Sequence, residues 1–542
     1  MTRGDRRALT ALVAGWAIVI VVLGTGGEVA LDDSWNFAKP VHHLLATGQL
    51  EFDPFNSAAS VPHVLWGALV CKLLGFSLTA CQMANFIAAL AALMAAYAMA
   101  RAFGLGPAYA LAVTATTAAS PPFFVTMFTF QSDFWFLLPA WAGIAFVLRF
   151  LRNHRDFDLV IGSLCIAVSI WNKIHGVFLA GAIVALLLLW RRKGQIRWRS
   201  IGYAAGIPTL SFALFELTLP FIHPVRTTMV RKNAEFVSRL IDPAIWLTDG
   251  PARTAAVLLS LGVYALPLLA VLRPFQATRR TKTIALLIAF ATTACSAAYW
   301  LYLRAEWFPF TSSVLREWPP LQTPAILVPL TLFGLISSFV LIASLIWRAP
   351  GDQGARSGAS GLLALAILSQ LLPLVPILLF MDRYFLVFIP WILLLALSRE
   401  ASGDPLPLRR PVAAVAVVLV VAMLTFGILR VTQYRHGVAA QWAAADRVVA
   451  NQHVVPLAVD GGYSWFGWHN YPECLANRPS VLQPNELNSG YVVELCPWAP
   501  IRFDVVFHEM APPRVLRETI RWTDPTGGPS LLYVYERPTT TP

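Results

Sequence analysis

The sequence predicts a polytopic α-helical membrane protein with a small α/β domain at its C-terminal end. Three observations carry that prediction. Of the 542 residues, 57% are hydrophobic and only 13% charged, with a mean hydropathy of +0.62, whereas soluble domains carry about 25% charged residues. Apolar stretches of spanning length recur along most of the chain. The basic residues cluster in short loops between those stretches, as cytoplasmic loops require. A net charge of +12 is thereby accounted for by the membrane, and no nucleic-acid partner is expected.

The first stretch, residues 8–27, follows Arg3, Arg6 and Arg7. It starts as a signal peptide does, but its apolar run of about 20 residues is longer than a signal core, and further spans follow. It is read as an uncleaved helix with its N-terminus in the cytoplasm. Further stretches lie at 79–103, 107–128, 134–151, 159–175, 177–190, 201–222, 253–275, 282–303, 324–347, 359–380, 384–398 and 411–429. The expected total is about 13 spans, several of them short. Alternation from a cytoplasmic start places Arg149, Arg152, Arg191, Arg192, Lys193, Arg279, Arg280, Arg409 and Arg410 inside. Those inner loops hold roughly 20 Lys and Arg, about twice the number in the opposite short loops. The expected location is the inner (plasma) membrane, with the C-terminal tail extracytoplasmic.

The same alternation returns the polar segments 28–61, 131–133, 172–175, 223–252, 304–322 and 381–384 to the outer face. Residues 1–429 are thus expected to form the membrane domain, with a functional first outer loop at 28–61. Residues 430–542 are polar enough for a separate small domain. A helix is expected at 438–450, and strands at 454–459, 503–507 and 531–535. Cys71, Cys81, Cys165 and Cys295 fall in or beside apolar stretches and read as core residues. Cys474 and Cys496 lie in the tail, where an extracytoplasmic location would permit a disulfide. No CxxC or His-rich metal box occurs.

The outer loops hold the residues that can carry chemistry. Asp32 and Asp33 sit where the first helix emerges into water, before a short amphipathic helix at 35–48. A carboxylate there can accept a proton from a hydroxyl or bind a cation, and it can equally cap the helix that follows. Asp133 opens the fourth span with the same two readings. Lys173 and His175 occupy an outer turn. Snorkelling would explain the lysine, but its position against the charge rule suggests an anionic partner. Arg383 and Tyr384 offer bidentate phosphate binding and a hydrogen-bond donor, with an Asp382 salt bridge or a membrane-edge anchor as the structural alternative. The aromatic run 463–468 is read as packing against the bilayer edge.

These features, taken in order, resemble the GT-C class of polyprenyl-phosphate-sugar-dependent glycosyltransferases, in the branch of protein O-mannosyltransferases and the lipid A aminoarabinose transferase. The similarity is carried by the acidic pair after the first span, Gly48 closing the amphipathic helix, and Val61-Pro62-His63 leading to Leu74-Gly75-Phe76-Ser77. Ser132-Asp133, Lys173, and Asp382-Arg383-Tyr384 with Pro390 complete it. The resemblance implies a GT-C-like fold and an outer-face glycosyltransferase. It implies Asp32 as catalytic base or acceptor-orienting group, and Asp133 as the second acid. Asp33, His63, Lys173, His175, Arg383 and Tyr384 are expected to bind substrate, with Lys173 and Arg383 on the lipid phosphate. The partners implied are a polyprenyl-phosphate-sugar donor and a lipid, glycan or protein acceptor. No particular cofactor is implied, and a divalent metal stays open, since Asp32, Asp33 and Asp53 have the oxygen ligands to hold one. The same features admit two other readings, a lipid-linked-saccharide flippase or transporter and an O-antigen ligase or polymerase. A transporter should carry charge near the bilayer midplane, and here the charges sit at span ends.

Overall fold

Capping and helix-breaking residues set most of the helix boundaries. The computed structural model describes residues 2–25, 27–269, 324–346, 355–374, 382–398, 410–476, 496, 498–523 and 529–538, with 283, 287, 290, 291 and 294. Helix α1 (Arg3–Leu23) is opened by a Thr2–Asp5 capping box and followed by Gly24 at φ +61°. The short α2 (Ser34–Thr47) ends on Gly48, left-handed at φ +75°, where a side chain would be strained. Helices α3 (Val61–Leu74) and α4 (Leu78–Phe103) follow. The Glu28 carboxylate accepts from the Leu78 backbone N–H at 2.9 Å, which ties the first loop to the start of α4.

Helices α5 (Pro107–Ala119) and α6 (Pro121–Met127) replace the single span expected at 107–128. They meet at 67°, because Pro121 and Pro122 cannot donate backbone hydrogen bonds across the junction. Helices α7 (Asp133–Asn153), α8 (Asp156–Ile170), α9 (Gly176–Arg192) and α10 (Trp198–Ile222) follow the expected periodicity. After them come α11 (Thr227–Ile241), α12 (Pro243–Leu269), α13 (Pro324–Ile346) and α14 (Ala355–Leu374). The stretch expected to span at 384–398 holds only the nine-residue α15 (Phe388–Ala396), every residue of which is buried in protein. Of the expected span 282–303, only residues 283, 287, 290, 291 and 294 are among the described residues.

Among the described helices, α1, α4, α7, α10 and Ala413–Gln452 are long and apolar enough to cross a membrane, and the bent pair α5–α6 makes a sixth. The chain is a multi-pass membrane protein on that composition, while the total of about 13 spans rests on the sequence. Small residues let the central helices approach closely. Ala84, Ala88, Ala89, Ala92, Ala96 and Ala100 of α4 are buried, and α4 packs along α7, which packs in turn on α8. At the α7–α8 crossing, a Cβ on Gly143 would lie 2.6 Å from Ile166 Cδ1.

The last apolar stretch and the helix expected at 438–450 are one continuous element, α16 (Arg410–Gln452), 43 residues long. At 1.5 Å per residue it reaches about 65 Å, roughly twice the hydrocarbon core, so it extends into the tail. There α17 (Tyr463–Ala476) packs beside a four-stranded sheet of order β1–β2–β4–β3. Strand β1 (Val459–Asp460) runs parallel to β2 (Phe503–Val506), and β4 (Pro529–Glu536) is antiparallel to both β2 and β3 (Val515–Thr523). Of the run expected at 454–459 only its end is strand, since Pro456–Ala458 forms a 3-10 turn. Strand β3 has no counterpart among the strands expected from the sequence. It is an outer strand, largely exposed on both faces, and therefore lacks the apolar alternation by which strands are recognised.

Cys474 and Cys496 are disulfide-bonded, 22 residues apart. In the chain-entropy picture such a loop contributes about 3 kcal/mol. Reduction is expected to lower the thermal transition of the tail, followed by far-UV circular dichroism, and leave the membrane helices folded. One hydrophobic core unites the tail with the first loop, since Trp35, Phe52 and Phe130 share it with Trp442, Trp465, Phe466 and Phe503.

Candidate active site

The residues after α1 form a tight turn, in which Ser34 N–H donates to Leu31 C=O at 3.0 Å. Asp32 is left-handed there at φ +52°, a conformation Asp tolerates better than most residues. Asp33 occupies the N-cap position of α2 but makes no side-chain cap bond. The capping explanation therefore does not account for either carboxylate.

Both are bound instead by residues far away in the chain. Arg383, in the 3-10 turn Asp382–Phe385, donates from Nη2 to Asp33 Oδ2 at 3.0 Å and from Nη1 to Asp32 Oδ2 at 3.3 Å. The same Nη1 donates to Gln131 Oε1 at 2.6 Å. Gln131 Nε2 donates to Asp32 Oδ2 at 2.6 Å, and the Tyr463 hydroxyl donates to Asp33 Oδ1 at 2.6 Å. Arg383 side-chain exposure is 14%, against 25% for each carboxylate. The cation thus lies beneath, and the acids open toward solvent.

Beside this network stands a second pair. Lys173 Nζ lies 2.6 Å from Asp133 Oδ1, with side chains 18% and 7% exposed. The turn presenting Lys173 is tight, since a Cβ on Gly176 would come within 2.6 Å of Ser169 Oγ. Asn172 Nδ2 donates to Ser132 C=O at 2.6 Å and Ser60 Oγ donates to Asn172 C=O at 3.0 Å, holding that turn against the start of α7. Both cations face the Tyr384 ring, Lys173 at 5.6 Å and Arg383 at 5.8 Å from its centroid, within cation–π range. Asp32, Asp33, Asp133, Lys173, Arg383 and Tyr384 therefore form one cluster at one end of the helices.

Charge in this cluster is unevenly distributed. Burial, then the Asp33 carboxylate, push Asp32 up to about 6. Burial, followed by the Asp33 charge, holds the Tyr463 phenol well above its usual range, so it stays a donor. Both bonds to Asp32 end on Oδ2. Among the described residues Oδ1 accepts none, which leaves it open to a substrate hydroxyl.

The remaining expected site residues sit differently. His63 is fully buried, its ring 4.1 Å from Phe130 and 5.3 Å from Phe37. Phe130 N–H in turn donates to Ser34 Oγ at 2.8 Å. His63 thus packs behind the acidic loop, away from the opening expected of a substrate contact. His175 lies two residues beyond Lys173 with its ring against Phe178, and its carbonyl accepts from Gln370 Nε2 at 3.0 Å. Asp53 accepts from the Phe55 N–H at 3.0 Å in its own turn. Among the described residues no three His, Cys, Asp or Glu are gathered to hold a metal ion. Snorkelling does not describe Lys173, which turns inward to Asp133.

Gln131 and Tyr463 escaped sequence reasoning. Gln131 stood next to a recognised acid, and that adjacency was the available signal. The aromatic run 463–468 was read as a bilayer-edge belt, and the structure corrects this. Trp465 and Phe466 are buried in the core shared with the first loop, and Trp468 stacks on Phe76. Helix α17 turns its aromatic residues toward α2 and α16, where more apolar area is removed from water.

Lys173→Met is expected to strand Asp133, at a cost of about 3–5 kcal/mol for breaking a buried pair. Adding Asp133→Asn should restore most of the lost thermal stability, and a double-mutant cycle on the melting transition measures the coupling.

No family model matches the sequence, and no curated protein matches it. Among solved structures, the chain is similar to ArnT from Cupriavidus metallidurans bound to undecaprenyl phosphate. That match has 14% identity, covers 98% of each chain and has a TM-score of 0.47. It is similar also to the oligosaccharyltransferase AglB from Archaeoglobus fulgidus, in complex with an inhibitory peptide and a dolichol-phosphate, at 14% identity and a TM-score of 0.47. This likeness covers 89% of the present chain and 61% of AglB. A third is the S. cerevisiae protein O-mannosyltransferase Pmt1–Pmt2 complex bound to the sugar donor, at 14% identity and a TM-score of 0.35. There 40% of this chain matches 34% of the other. The chain therefore spans less than two thirds of the latter two relatives. All three are GT-C glycosyltransferases, the class the sequence resembles. At these scores the likeness is one of general outline, and the functional reading below stands on the residues.

Proposed function

We propose that the chain is a membrane glycosyltransferase that moves a sugar from a polyprenyl-phosphate donor to a lipid, glycan or protein acceptor, with inversion at the anomeric carbon. It acts on the outer face of the inner membrane, with residues 1–429 as the membrane domain and the tail from residue 430 extracytoplasmic. The observation that carries the proposal is the juxtaposition of Asp32, whose Oδ1 accepts no hydrogen bond among the described residues, with two partly exposed cations, Lys173 and Arg383. Asp32 Oδ1 takes the proton of the acceptor hydroxyl as its oxygen attacks the anomeric carbon. The bond from that carbon to the phosphate oxygen breaks, and the polyprenyl phosphate leaves with the electron pair. Lys173 and Arg383 stabilise its growing negative charge, in a setting where such interactions are stronger than in water. The membrane location suits this donor, since its lipid tail stays among apolar helices while its headgroup reaches the cluster.

The purified protein is tested with radiolabelled polyprenyl-phosphate hexoses and pentoses, with and without chelator, and release of polyprenyl phosphate is measured. Turnover supports the reading, and absence of turnover with every donor would overturn it. The chelator arm shows whether a divalent ion contributes.

The rate should also follow the ionisation of Asp32. Its anion is the base, so kcat/KM is expected to be flat well above pH 6 and to fall as the pH drops through about 6. A profile flat down to pH 4 would remove Asp32 from the rate-determining protonation.

A further inference from the structure

We propose that Tyr463, carried by the tail, is a positioning residue for the transfer reaction. It clamps Asp33 so that Asp32 is left as the working base, which makes the tail domain part of the catalytic centre. This deepens the proposed function and rests on it.

The two carboxylates are adjacent in sequence but are held differently. Asp33 has a donor on each oxygen, Tyr463 on Oδ1 at 2.6 Å and Arg383 on Oδ2 at 3.0 Å. Asp32 takes both its donors on Oδ2, and the Arg383 contact there is the longer one at 3.3 Å. Asp33 thus has both oxygens taken up by protein donors, while Asp32 keeps Oδ1 for an incoming hydroxyl. Tyr463 therefore separates the roles of two chemically identical groups.

The phenol is itself rigidly placed. Gly462 precedes it at φ +88°, and the Gly462 N–H donates to Asp460 Oδ1 at 3.1 Å. The next residue, Ser464, accepts from Trp442 Nε1 at 3.1 Å, and Trp465 Nε1 donates to Asp446 Oδ1 at 2.8 Å. Both partners belong to α16, which enters the tail from the membrane. On the other side, Lys39 Nζ donates to Gly467 C=O at 2.7 Å. A Cβ on Gly467 would overlap the Trp35 indole, so α17 lies directly on α2. The hydroxyl is thus fixed by α16 and α2 before any substrate arrives, as preorganised catalysis requires.

Among the described residues, the charged and titratable groups facing the pair are Arg383, Asp133 and Tyr463, with Lys173 paired to Asp133 beside them. Removing the phenol donor leaves the others in place and makes the pair easier to protonate, so its acid limb moves to higher pH. Full-length Tyr463→Phe is compared with wild type using a labelled polyprenyl-phosphate sugar that wild type turns over. The expected result is a kcat reduced about tenfold or more, a donor KM within about twofold, and an acid limb displaced upward. Asp33→Asn should lose activity, and adding Tyr463→Phe to it should cost nothing more, because the phenol then has no anion to hold. A wild-type rate and profile in Tyr463→Phe would overturn the proposal. So would a uniform loss without a shift of the limb, or losses that simply add in the double variant. If wild type is active and Asp32→Asn is dead while Tyr463→Phe is silent, this inference fails and the proposed function stands. If wild type turns over no donor, the proposed function fails first.

Discussion

Asp32→Asn is expected to abolish transfer while leaving expression and membrane insertion intact. Asparagine matches the carboxylate in size and can still accept from Gln131 and Arg383, so the turn at residues 31–34 survives. What disappears is the proton acceptor at Oδ1, and loss of a general base costs about 10²–10⁴ in rate. The remaining activity should no longer vary with pH around 6. Single-turnover transfer assays on the purified variant, with size-exclusion profiles as a folding control, would decide the matter. A fully active variant removes the base on which the mechanism is built.

Arg383→Ala is expected to have the next largest effect, on both stability and rate. The guanidinium bridges Asp32, Asp33 and Gln131. Without it two neighbouring carboxylates face each other with no cation between them. Breaking a mostly buried ion pair by deleting one partner costs about 3–5 kcal/mol, and loss of a charge-stabilising donor costs roughly 10²–10³ in kcat. Arg383→Lys distinguishes the two contributions. A single ammonium keeps the charge but cannot reach all three partners in one plane. It should therefore recover part of the thermal stability and little of the activity. Full activity in Arg383→Lys would show that only the charge matters at this position.

Much of the candidate site could be read from the sequence because membranes sort residues by side. Once apolar stretches and basic loops assign an orientation, Asp32, Asp133, Lys173 and Arg383 fall at the same end, and the structure brings them together. Pairing was another matter. Lys173 reaches Asp133 and Arg383 reaches Asp32 across 40 and 351 positions, and no local pattern records contacts at such separations. Capping and functional readings of Asp33 were equally consistent with its place before α2. Only the geometry, with its carboxylate turned to Arg383 and Tyr463, separated them. Gln131 and Tyr463 were passed over because a neutral amide and a phenol carry no charge to be sorted by side.

By itself the sequence determined the class of molecule, the common end at which Asp32, Asp133, Lys173 and Arg383 gather, the acidic turn after α1 and the glycine that ends α2. Each of these follows from local chemistry, namely the length of apolar runs, the cost of charge in hydrocarbon and the backbone freedom of glycine. Tertiary structure alone decided that α16 runs unbroken into the tail, that the stretch beginning at residue 384 is a short buried helix, and that α17 packs on α2. These outcomes depend on which surfaces exclude water from one another. That competition is settled between segments hundreds of residues apart, and no one of them carries the answer.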